Sequence, residues 1–170
     1  VGPRREIWFS FEEQLSPIWS ETLAVWLKHG DLLSDRGYVV ATNEQLVRRF
    51  GPMPVSGDFG LDAAVRTPTR DLLFSTETDF FSETLGARVG HGDVLSSRGR
   101  IVRTNRQLLA SFNPVGPVVR DLGLDALVLR PFGEMWFSTE EGFIDANLGP
   151  ISDGDLLSSA GYVVARNLDL

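Results

Sequence analysis

The sequence predicts an all-β protein made of about three copies of one four-stranded antiparallel unit. Three short phrases that recur in register carry this prediction. A Gly-Asp-Leu/Val-Leu-Ser phrase places Asp31, Asp93 and Asp155 at equal intervals along the chain. A Gly-Leu-Asp-Ala phrase places Asp62 and Asp125 at nearly the same spacing. An apolar segment that ends in Phe-Ser occurs at 7–10, 72–75 and 135–138.

The three phrases divide the chain into units. We expect one repeat domain over residues 1–170, with units at about 1–61, 62–124 and 125–170, of which the first and the last are incomplete. With 42% hydrophobic and 23% charged residues, the 170-residue chain has the composition of an ordinary globular domain. No second, unrelated domain is needed to account for its length.

Charge and composition exclude several classes of function. Lys and Arg total 16 against 23 for Asp and Glu, and the net charge of −7 has the wrong sign for a surface that binds phosphates. We therefore expect no nucleic-acid partner. The absence of cysteine excludes disulfides, thiolate nucleophiles and cysteine metal sites. Because no apolar run reaches the roughly 18 residues that a bilayer requires, we also expect no membrane span.

Each unit is predicted to contain four strands, a to d in chain order. In the third unit we expect them near residues 124–129, 134–139, 155–158 and 161–166, with equivalents at the matching places of the two earlier units. Strands a and b are apolar at consecutive positions, which predicts burial on both faces. Strand d carries arginines in two units, so it is expected to be the outer strand.

Loops and one helical turn are predicted to connect the strands. Between strands b and c, the segments 11–30, 76–92 and 139–154 vary in sequence and length, as surface loops do. Each strand d is followed by an Asn, a favoured N-cap residue, so a single helical turn is expected to begin there. These residues are Asn43, Asn105 and Asn167.

The strand pattern resembles the blade of a β-propeller, which is apolar inside and more polar at its outer edge. The phrases Leu-Asp-Ala-Leu, an aromatic strand ending in Ser, and Asp-Leu-Leu-Ser are also similar to tandem repeats of exported bacterial proteins. The resemblance implies a propeller-like fold, an extracytoplasmic bacterial location and no particular activity. Closed propellers have about four to eight blades, so three units imply a longer chain or a second copy. A β-trefoil-like barrel is the alternative fold.

A cluster of oxygen ligands is predicted at one face of such a ring. Asp62 and Asp125 would begin strand a there, and Asn43 and Asn105 would end strand d. Carboxylate and amide oxygens suit Ca²⁺, which is the one cofactor that the pattern allows. The competing interpretation, which we favour, is that recurring Asp and Asn side chains bind backbone groups at turns and caps.

Two tryptophans and two histidines complete the candidate residues. Trp19 and Trp26 lie in the longest segment between strands b and c and have no counterparts in the other copies, so they are candidate ligand-binding residues. They could equally pack beneath that segment. His29 and His91 precede Gly-Asp, and because the chain has no third nitrogen ligand we predict that both are solvated turn residues.

The leading functional hypothesis is a non-enzymatic repeat scaffold or interaction module within a larger or oligomeric assembly. Its partner would be another protein or a second copy of the chain. The alternative is a metal-assisted hydrolase or lactonase of propeller type that uses Asp62, Asp125 and the Asn series.

Overall fold

The computed structural model describes residues 6–11, 17–55, 57–116 and 120–167. Strands dominate these ranges, and the helices are single turns. The prediction of an all-β protein is therefore confirmed. Among the described residues, no helix has both the length and the apolar character needed to span a membrane.

The first unit contains one three-stranded sheet and a separate hairpin. In chain order its strands are β1 (Trp8–Phe9), β2 (Ile18–Ser20), β3 (Val25–Leu27), β4 (Leu32–Ser34) and β5 (Tyr38–Ala41). The sheet has the order β1-β4-β5, which corresponds to the predicted strands b, c and d. The hairpin pairs β2 with β3. A helical turn, α1 (Asn43–Val47), follows β5.

The second unit contains a four-stranded sheet. After α1 the chain forms β6 (Pro52–Met53) near the end of the first unit and then the strands of the second unit, which are β7 (Ala64–Arg66), β8 (Leu72–Phe74), β9 (Phe80–Ser82), β10 (Ala87–Val89), β11 (Val94–Ser96) and β12 (Arg100–Arg103). The sheet order β7-β8-β11-β12 is that of strands a to d. The hairpin β9-β10 is extended by β6, which precedes the sheet in the chain. A second helical turn, α2 (Asn105–Leu108), follows β12.

The third unit repeats this arrangement. Its strands are β13 (Ala126–Leu129), β14 (Met135–Ser138), β15 (Phe143–Asp145), β16 (Gly149–Ile151), β17 (Leu156–Ser158) and β18 (Tyr162–Ala165). The sheet order is β13-β14-β17-β18, and β15 pairs with β16. The c and d strands of all three units show a register shift at the same place, after the first residue of strand c. Strands a to d therefore lie where the sequence places them.

The segments between strands b and c are hairpins rather than plain loops. The hairpin pairs Trp19↔Trp26, Phe81↔Arg88 and Ile144↔Pro150 are structurally equivalent. No tryptophan stands at these positions in the other two hairpins, but the positions themselves are equivalent. The counterparts of Trp19 and Trp26 share a position in the hairpin and not a residue type, which is why comparison of the sequences did not find them.

The N-cap of both α1 and α2 is threonine and not the predicted asparagine, whereas the turn predicted after Asn167 lies outside the described residues. The Thr42 hydroxyl accepts a hydrogen bond from Gln45 N–H at 3.2 Å, and the Gln45 side chain accepts one from Thr42 N–H at 3.0 Å. Thr104 and Gln107 form the same capping box in the second unit. Asn43 and Asn105 are thus the first residues of their helical turns, which frees their side chains for another role.

The apolar core lies between consecutive units. One cluster joins Leu46 and Phe50 of the first unit to Phe74 and Phe80 of the second, and all four side chains are buried. The other cluster joins the second and third units in the same way and includes Leu108, Phe112, Leu124, Phe137 and Leu157. Much of the apolar surface of these sheets is therefore buried between segments that are consecutive in the chain.

Candidate functional site

The recurring aspartates at the start of strand c bind backbone N–H groups. The Asp31 carboxylate accepts hydrogen bonds from Lys28 N–H at 2.9 Å and from Asn43 N–H at 3.0 Å. The carboxylates of Asp93 and Asp155 accept the equivalent bonds at 2.8–3.1 Å. These side chains join the turn before strand c to the residue after strand d, which is a structural role.

Asn43 and Asn105 join the end of strand d to the segment that leads into strand a of the next unit. The buried Asn43 amide donates to Gly60 C=O at 3.1 Å and accepts from Phe59 N–H at 3.3 Å. Asn105 makes the same pair of bonds to Gly123 C=O and Leu122 N–H, both at 3.2 Å. We call this pair of bonds the asparagine clasp. The clasp engages both the nitrogen and the oxygen of each side-chain amide. Asn43 and Asn105 are therefore not among the proposed metal ligands.

The two aspartates at the start of strand a face a common cavity. Asp62 and Asp125 line a space of about 130 Å³ together with Glu77. Ser10 also lines it and donates a hydrogen bond to Leu61 C=O at 2.6 Å. The structure thus brings these two candidate metal ligands to one place, without the two asparagines that the sequence groups with them.

His29 is buried between two units, so the prediction of a solvated turn residue is wrong for this side chain. Its Nδ1 lies 2.9 Å from a carboxylate oxygen of Glu77, and its Nε2 lies 3.6 Å from a carboxylate oxygen of Asp58. Both carboxylates belong to the part of the chain after α1. Their distance from His29 along the chain explains why the sequence did not reveal this cluster.

His91 occupies the equivalent turn in the second unit and is half-buried. One carboxylate oxygen of Asp79 lies 2.8 Å from His91 Nδ1 and accepts the His91 N–H at 2.7 Å. The other oxygen of Asp79 accepts from Arg88 Nε at 2.9 Å and lies 2.5 Å from Arg88 Nη2. The Asp121 carboxylate completes the group, which we call the His91 cluster.

The His91 cluster perturbs the ionisation of its members. Burial lowers the pKa of His91, but the hydrogen bond with Asp79 and the charges of Asp121, Glu140 and Asp79 outweigh burial and raise it. For Asp79, burial raises the pKa, but hydrogen bonds with His91 and Arg88 outweigh this effect and lower it. Burial raises the pKa of the nearby Glu140 carboxyl. The surroundings of His91 are thus strongly negative and favour a cation.

The two tryptophans form an exposed aromatic pair. Their ring centroids lie 5.4 Å apart in an edge-to-face arrangement, and Trp19 and Trp26 are 47% and 61% exposed. On the opposite face of the same hairpin, Ile18 is 39% exposed, whereas the equivalent Phe80 is only 3% exposed. Trp26 also borders a cavity of about 240 Å³ lined by polar residues that include Lys28 and Glu44. An exposed apolar hairpin of this kind is typical of a contact surface.

Comparison with known proteins gave no match among protein-family models, curated proteins or solved structures.

Proposed function

We propose that this protein is a non-enzymatic β-repeat interaction module whose first hairpin, β2-β3, contacts another protein molecule. The observation that carries the proposal is that this hairpin exposes apolar side chains on both of its faces, whereas each counterpart exposes them on one face and packs the other against the preceding part of the chain. Large apolar side chains exposed together on a small element favour association.

The second and third hairpins indicate how such an element is normally covered. Strand β6 pairs with β9, and Phe80 packs against Phe50 and Phe59 at ring-centroid distances of 5.9 and 4.8 Å. In the third unit Phe143 packs edge-to-face on Phe112 at 5.9 Å, and Pro114 forms a bridge with Asp145. Within the described ranges, no strand pairs with β2 apart from β3. We propose that a second protein molecule contacts the exposed faces of β2-β3.

The recurring sheets support a propeller-like arrangement as part of this proposal. Two four-stranded sheets have the order a-b-c-d, and strand a of the second unit approaches strand a of the third. Inner strands that approach one another are typical of blades around a common axis. We propose that the units are blades and that further blades, from a second copy, complete the ring.

The interaction proposal predicts self-association that depends on the tryptophans. In sedimentation velocity, we expect the average mass of the wild-type chain to rise with concentration, and a Trp19→Ser/Trp26→Ser double variant to remain monomeric at the same concentrations. The physical reason is the loss of apolar area, at roughly 25 cal/mol per Å² removed from water.

A matched control is Phe132→Ser, which removes a fully exposed aromatic ring outside the hairpin. This variant should associate as the wild type does. A wild-type chain that stays monomeric throughout, or a double variant that associates unchanged, would contradict the proposal.

The hydrolase alternative rests on one observation. Asp62 and Asp125 share a cavity with Glu77, and three carboxylates around a small cavity could bind Ca²⁺. Against it, the asparagines that the sequence adds to this site are engaged in the asparagine clasp. We therefore keep the interaction module as the proposed function.

A further inference from the structure

Three side chains that the interaction proposal does not use converge in the second unit, where its hairpin meets the segment that leads into the third unit. One carboxylate oxygen from each of Asp79 and Asp121 and one imidazole nitrogen of His91 lie within 4.8 Å of one another. All three residues are half-buried, so solvent can reach the space between them. We propose that the His91 cluster is a binding site for a divalent first-row transition cation, of which Mn²⁺ and Zn²⁺ are the test cases.

The donor set decides the class of cation. Imidazole nitrogen suits Zn²⁺ and its neighbours in the first row, and carboxylate oxygen suits Mn²⁺ as well as Ca²⁺ and Mg²⁺. One nitrogen with two oxygens therefore favours a transition ion over Ca²⁺. Three protein ligands also leave coordination positions for water or for a ligand, as open metal sites do. The charge of Glu140, which acts on His91, adds to the attraction for a cation.

An independent observation comes from the residues that depart from the repeat. Asp79 directly precedes the hairpin of its unit, where the other units have Pro17 and Gly142. Gly90 stands shortly before the aspartate of strand c, where the other units have Lys28 and Ser152. Asp79 accepts the backbone N–H of His91 as well as contacting its ring, and neither Asp79 nor Gly90 recurs in the other units. Both lie at the His91 cluster.

Gly90 makes room for a ligand of the cluster. A Cβ atom on Gly90 would lie 2.1 Å from one carboxylate oxygen of Asp121, and a Cβ on Gly92 would lie 2.0 Å from the other. Neither glycine has a left-handed φ, so close approach and not a turn requires the missing side chains. The turn that carries His91 is thus shaped to receive the Asp121 carboxylate.

Arg88 competes with a cation for the same carboxylate. Its guanidinium contacts one Asp79 oxygen, while the side chain itself is 75% exposed and can move into solvent. In the absence of a metal ion, Arg88 and His91 together satisfy Asp79. Removing Arg88 should therefore strengthen metal binding, whereas a purely structural network would simply lose one ion pair.

The test is isothermal titration of the full chain with MnCl₂ and, separately, with ZnCl₂. We expect one ion per chain, with affinity reduced by about 10-fold or more in His91→Ala and in Asp121→Asn, because even an outer-shell partner usually contributes roughly 10- to 100-fold. Arg88→Ala should bind several-fold more tightly than the wild type. Asp153→Ala is the matched control, because Asp153 occupies the position of His91 in the third unit, and its binding should be unchanged.

Several results would overturn the site. One is the absence of binding in the wild type, and another is binding that His91→Ala leaves unchanged. Weaker metal binding in Arg88→Ala than in the wild type would also contradict the proposed site. Because Arg88 has an exposed side chain, this variant should fold, and it still tests the site if His91→Ala does not fold. A CaCl₂ titration separately tests the hydrolase alternative. Calcium binding that is lost in Asp125→Asn but kept in His91→Ala would instead support the hydrolase alternative.

Discussion

Replacing Asn105 with alanine should lower the free energy of unfolding by about 2–5 kcal/mol. Asn105 is 3% exposed, and its amide bonds to Leu122 N–H and Gly123 C=O in the segment that leads into the third unit. Removing the amide leaves two buried backbone groups without these partners, and each such loss costs roughly 1–3 kcal/mol. Urea unfolding followed by tryptophan fluorescence would measure the change.

Asn167 provides the matched control for this effect. It occupies the equivalent position in the third unit but is exposed, and its amide makes one long contact of 3.5 Å with Asp153 C=O of its own unit. Asn167→Ala should change stability by no more than about 0.5 kcal/mol. Similar losses in the two variants would show that the asparagine clasp does not stabilise the junction between units.

Replacing Phe50 with alanine should lower the free energy of unfolding by about 3–5 kcal/mol, the usual range for a buried phenylalanine. Phe50 is fully buried at the end of the helical segment after β5 and packs edge-to-face on Phe80 of the next hairpin. Its backbone C=O also accepts a 2.6 Å hydrogen bond from Ser82. The truncation would leave a cavity between the first two units, which urea unfolding would detect.

Phe132→Ala is the control for the loss of an aromatic ring as such. Phe132 lies in the turn between β13 and β14 with its side chain fully in solvent. We expect a change within about 0.5 kcal/mol. If Phe50→Ala were equally mild, the first two units would not share the core that the structure places between them.

Strands a to d could be predicted from the sequence because their signals are local and repeat in register. Apolar runs, the turn glycines and the Asp that begins strand c recur at nearly constant intervals. The sheets then form where these runs lie. The capping threonines were missed because Asn43 and Asn105 are equally good N-cap residues by type, and only hydrogen-bond geometry distinguishes the two positions.

The hairpins could not be predicted, because distant contacts specify them. Phe80 is buried and Phe143 partly buried by rings from the preceding connection, Phe50 and Phe112, and not by their own hairpins. Short two-stranded elements have little stability of their own. Sequence comparison between units therefore detects only variable residues in these segments.

The His91 cluster escaped prediction for a similar reason. Asp79 and Asp121 lie on either side of His91 in the chain and far from it, and Asp79 has no counterpart that would mark it. A mixed site with one histidine and two carboxylates needs no third nitrogen ligand. The small number of histidines in the sequence therefore did not indicate this site. His29 became buried through contact with Glu77, which belongs to the next unit.

The central claim is that the hairpin β2-β3 is the contact surface of the module, and amide hydrogen exchange tests it most directly. Exchange should be measured on the wild-type chain at low and at high concentration. We predict that the amides of residues 18–27 become protected as concentration rises, while those of β9-β10 and β15-β16 are protected throughout by their intrachain packing. Protection of residues 18–27 that does not change with concentration, while other segments gain protection, would contradict the claim.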